Sequence, residues 1–155
     1  MQFLARFLLI FSLVVWIGGI IFFSFVVAPT VFRVLPAQEV AGAIVGSSLG
    51  ALHRIGLTCG VVFLGATFLG RFSQARVLRA LVVVMLLCTS FSQFRITREL
   101  EQVRAAVGGS IQALPPKDAG RAAFDRLHQI SVILEGVVLL AGIGAVALLS
   151  REPRH

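Results

Sequence analysis

Charge is what this sequence has least of. Only 14% of its 155 residues are Asp, Glu, Lys or Arg, against 57% hydrophobic residues and a mean hydropathy of +0.95. A water-soluble domain carries about 25% charge, so the shortage excludes one and marks a membrane protein. Cysteine is scarce too. Cys59 and Cys88 each lie inside an apolar stretch, supply no disulfide framework or metal motif, and read as small core residues. A glycine-rich phosphate loop, an HExxH pair and paired CxxC motifs are absent, so none of these supports catalysis. Repeats, low-complexity tracts and a second domain are also missing, which leaves residues 1–155 as a single domain.

What is present is apolar length. A transmembrane helix needs about 20 apolar residues to cross a hydrocarbon layer of about 30 Å. Four stretches qualify: Phe7–Phe32, Ile44–Leu69, Val77–Phe94 and Ile130–Leu149. The expected fold is therefore an all-α integral membrane four-helix bundle with the lipid bilayer as its main partner. The length of the first stretch and Pro29 directly after Ala28 argue against a cleaved export signal, so this stretch is expected to remain as helix 1. The brief "GRFSQAR" link makes spans 2 and 3 antiparallel neighbours. The long connection between spans 3 and 4 keeps helical spacing in "RITRELEQVRAAV", stops at "GGS" and restarts after "PP". Helices 3 and 4 are therefore expected to extend beyond the membrane as a hairpin.

The net charge of +7 does not point to nucleic acid, because the basic residues cluster at span ends. Arg6, Arg71, Arg76, Arg79, Arg151 and Arg154 share one side with a single acid, Glu152, in short segments. The positive-inside bias then places both termini in the cytoplasm, with the chain in the inner (plasma) membrane.

Polar residues inside the spans carry the functional signal. Glu135 lies about 21 Å from Leu149 along its helix and Arg54 about 22 Å from Leu69, so these opposite charges share a level. Trp16 reaches about the same layer. Ionisable groups at such depth are costly against lipid and should point inward or pair, which makes Arg54 the expected partner of Glu135. His128, Ser131 and Glu135 follow an i, i+3, i+7 pattern on one face. Gly42, Gly46, Gly50, His53, Gly56 and Gly60 form a ridge of small residues around a histidine, where a neighbouring helix packs closely. That neighbour is another helix of the chain or a second copy, giving a homo-oligomer through the glycine face of helix 2.

The expected site is a polar cavity opening to the non-cytoplasmic side, lined by His53, Arg54, His128, Ser131, Glu135 and Trp16. Several readings stay open. Arg54 with Glu135 is a structural ion pair or a transport or proton-handling site. His53 and His128 are hydrogen-bonded interior residues, ligands for haem b or a metal, or a ligand-binding or proton-binding pair. The projecting hairpin of residues 95 to 127 also suits an assembly partner.

The segments "VVWIGGIIFFSFVVAPTVFRVLP", "LHRIGL", "QFRITREL" and "FDRLHQISVILEGVVLL" resemble the domain family of unknown function that includes transmembrane protein 205. That resemblance implies a four-span helical membrane protein without an established activity. The "W-x-G-G" portion of helix 1 is also similar to copper-resistance protein D and to the haem-containing membrane protoporphyrinogen oxidase. Those relatives place a histidine about two turns before the tryptophan, where this chain has Leu9.

Overall fold

The computed structural model describes residues 1–108 and 111–151. Four helices follow one another: α1 Gln2–Val34, α2 Gln38–Leu69, α3 Ala75–Val107 and α4 Ala119–Ser150. Each is long and apolar enough to cross a membrane. In this all-α bundle α1 packs against α2 and α4, and α3 packs against α2 and α4, so α2 and α4 face each other across a diagonal. Both described chain ends and the 70–74 link lie at one end, the terminus end. There the Gln2 side chain donates to the Arg71 carbonyl at 2.8 Å and accepts from the Arg71 amide at 2.9 Å. The other end, the hairpin end, carries the 35–37 and 108–118 links. Arg154 and Glu152, which entered the topology reading, and the Gly109–Ser110 part of the "GGS" stop lie outside the described residues.

Local chemistry sets the helix limits. Leu35 is extended, as the residue before Pro36 must be, and this ends α1. Pro29 lies within α1 and does not end it. A proline ring collides with the carbonyl four residues back, here Phe25, and Phe25 lies in a π-turn spanning Phe23–Val27. A second π-turn, Ser92–Ile96, interrupts α3 where the Thr97 hydroxyl donates to the Ser92 carbonyl at 3.1 Å. Gly108 closes α3 with φ +64, a left-handed position suited to glycine. Asp118 caps α4, accepting from the Gly120 amide at 2.8 Å and the Arg121 amide at 3.3 Å. Asp118→Ala is expected to lower stability by about 1 kcal/mol, read as a shifted unfolding midpoint in detergent.

All four helices are longer than a bilayer requires. At 1.5 Å per residue each spans about 48 Å, against about 30 Å of hydrocarbon. Helices α1 and α2 therefore reach as far as α3 and α4, which the sequence reading had singled out as extended. The backbone also repeats itself where the sequence does not. A 33-residue helix with one π-turn is followed by a 32-residue helix, twice over. Such a repeat is invisible in residue identities because it needs only apolar faces and one extra residue in a turn.

Leu9, Leu13, Phe63, Leu78, Val82 and Met85 form a close-packed apolar core in the terminus half. The outward surface is apolar too, with Phe25 and Leu140 among its most exposed residues, as expected where the surrounding solvent is lipid.

Candidate functional site

His53 on α2 is 2% exposed, and both of its ring nitrogens are engaged. Nε2 lies 2.6 Å from Glu135 Oε1 on α4, and Nδ1 lies 2.9 Å from Gln93 Oε1 on α3. The histidine therefore bridges the diagonal of the bundle and ties three helices together. With the Gln93 oxygen as acceptor, Nδ1 carries a proton. Nε2 and Oε1 then share one more, either as imidazole beside carboxylic acid or as imidazolium beside carboxylate. The pair is neutral in both forms, which limits the cost of placing ionisable groups away from water.

The site is not closed on itself. Glu135 Oε2 is enclosed by protein without a hydrogen-bond partner, and so is Ser92 Oγ in the π-turn. A buried acceptor left unpaired costs about 1–3 kcal/mol, so each such group calls for an explanation. Ser131, one turn from Glu135 towards the hairpin end, is also buried.

Trp16 forms the floor. Its indole fills the space that side chains would occupy at Gly56 and Gly60, one and two turns from His53 towards the terminus end. The rest of the glycine ridge is filled in the same way. Arg104 lies against Gly42 and Gly46, Gln93 against Gly50, and Leu86 against Gly60. The neighbours of this face within the chain are thus α1 and α3.

Two expectations are corrected. Glu135 is paired with His53 and not with Arg54. Matching depth fixes height only, and adjacent helical residues point about 100° apart, so His53 inside puts Arg54 outside. Arg54 is exposed and turns back along α2, its Nε donating to the Gly50 carbonyl at 3.2 Å. That direction leads to the hairpin end, as a snorkelling arginine on a lipid-facing surface would take. Nor are His53 and His128 joined. His128 is exposed and stacks on Phe124 with ring centroids 6.3 Å apart, while the nitrogens of His53 face Gln93 and Glu135. With Leu9 in place of a helix 1 histidine, these residues do not fit the axial ligands of a haem. Among the described residues no group of three or more His, Cys, Asp or Glu side chains has a metal-binding arrangement.

Gln93 was not among the residues expected to line the site, although its amide falls within a span at about the level of Glu135. It also passed over Gly46-Ser47-Ser48-Leu49-Gly50, which spells G-x-S-x-G. A nucleophile elbow requires a strand-to-helix turn, and this pentapeptide lies inside α2.

The domain of unknown function DUF4149 matches residues 11–108. The chain belongs to this family. The matched segment contains Trp16, His53, Gln93 and Arg104 and ends before Glu135, so it covers two of the three helices that the histidine ties together. No curated protein and no solved structure matches the chain.

Proposed function

We propose that this multi-pass membrane protein holds a binding site for a small hydrogen-bond donor of the ammonium or primary amine type, centred on Glu135 and reached from the hairpin end. The observation that carries the reading is the division of labour within one carboxylate. Oε1 is held by His53 while Oε2, also buried, has no partner. A guest N–H group would satisfy Oε2, and the Ser92 hydroxyl supplies a second uncommitted oxygen. Binding a cation favours the carboxylate and imidazolium form of the pair, so occupancy moves the shared proton from Glu135 onto His53. The apolar core beyond Trp16 favours access from the opposite, hairpin side. With both termini in the cytoplasm, that side faces outward.

Methylammonium chloride added to the purified protein is expected to raise its unfolding temperature in a saturable way. Tetramethylammonium, which has no N–H group, is expected to give no shift, and Glu135→Gln to abolish the methylammonium shift. Equal shifts from both cations, or an undiminished shift in Glu135→Gln, would overturn the reading.

A further inference from the structure

Among the described residues Arg104 has no anionic partner. Its guanidinium lies against the bare backbone of α2, with Nη2 3.2 Å from the position of a side chain at Gly42 and Nη1 3.4 Å from that at Gly46. The Phe124 ring stands on its other side, 5.2 Å from centroid to Cζ. Among the described residues the ion pairs are His53–Glu135 and Arg95–Glu99, and Arg104 takes part in neither. A half-buried guanidinium brings five donors in a planar fork, a geometry matched to phosphate oxygens. Arg54 has turned towards the same strip of α2. Its Nε meets the Gly50 carbonyl, one turn from Gly46.

The level of this strip identifies the source of phosphate. Measured from Leu69, Gly46 lies about 35 Å and Gly42 about 40 Å along α2, beyond a hydrocarbon layer of about 30 Å. The Arg104 guanidinium therefore stands at the headgroup layer of the leaflet on the hairpin side, and Arg54 Nε, held at the Gly50 carbonyl about 28 Å along α2, lies just beneath it. The α2 N-terminus adds its unsatisfied amides there, because Ala37 provides no side-chain cap. Glu39 is the acid in that first turn and pairs with neither arginine.

We propose that Arg104 and Arg54 bind the phosphate of an anionic phospholipid, with the glycines of α2 keeping the strip low enough for the headgroup to reach both. Without side chains at Gly42 and Gly46 the Arg104 guanidinium can lie flat on the helix. A larger residue there would lift it away. This site is separate from the Glu135 site and stands or falls independently of it.

Protein reconstituted in vesicles of equal parts phosphatidylglycerol and phosphatidylcholine, then released for native mass spectrometry, provides the test. The wild type is expected to retain phosphatidylglycerol preferentially, with retention falling about fivefold for each arginine removed in Arg104→Gln and Arg54→Gln. Gly46→Leu, which keeps both charges but blocks the notch, is expected to lose the lipid as well. Arg98→Gln, at another exposed arginine of α3, should retain it. Undiminished retention in Arg104→Gln and Gly46→Leu, or equal loss in Arg98→Gln, would overturn the proposal. Displacement of the lipid by millimolar inorganic phosphate would overturn the lipid as occupant and assign the site to free phosphate.

Discussion

Gly56→Val is expected to leave little folded bundle. The first carbon of any side chain at this position would overlap the Trp16 indole, which is rigid and 2% exposed. Overpacking usually costs about 1–3 kcal/mol, and a clash with a fixed aromatic ring belongs at or above the top of that range. Trp16→Ala removes the obstacle but leaves a cavity, with an expected loss of about 3–5 kcal/mol. The informative measurement is a double-mutant cycle by reversible unfolding in mixed micelles. Gly56→Val combined with Trp16→Ala should be less damaging than the sum of the single changes. Additivity within about 0.5 kcal/mol would show that the indole is not what keeps position 56 a glycine.

The second large effect is expected at His53. His53→Ala strips Glu135 Oε1 of its partner beside an Oε2 that already has none. Removing one member of a buried charged pair costs about 3–5 kcal/mol because the other is left uncompensated. Replacing both, as His53→Ala with Glu135→Leu, should recover most of that loss and leave mainly the packing deficit. The same unfolding assay decides. If the double variant is as unstable as His53→Ala alone, the cost comes from lost imidazole packing and not from an orphaned carboxylate.

The spans, their number and their antiparallel order were legible because apolar length and short links constrain them strongly. The depth of Glu135, Arg54 and Trp16 was legible for the same reason, since rise per residue is fixed. The azimuth of each helix was not. Only packing sets it, and one step around α2 decided whether His53 or Arg54 would meet Glu135. The glycine ridge announced a close approach without saying what approached. The structure fills it with an indole, an amide, a leucine and a guanidinium. The π-turns were hidden as well. One accompanies Pro29, and the other is marked only by a threonine hydroxyl reaching back five residues.

The apolar core below Trp16 also has an electrical meaning for the proposed site. Glu135 stands about 21 Å from the terminus end of α4 and hence about 9 Å inside the opposite edge of a hydrocarbon layer of about 30 Å. A positive charge that enters from the hairpin side and stops at Glu135 has traversed about a third of the insulating layer. It gains or loses about 0.7 kcal/mol for every 100 mV across the membrane. Cation occupancy of the proposed site is therefore expected to change about threefold per 100 mV, with the sign set by the orientation of the bundle.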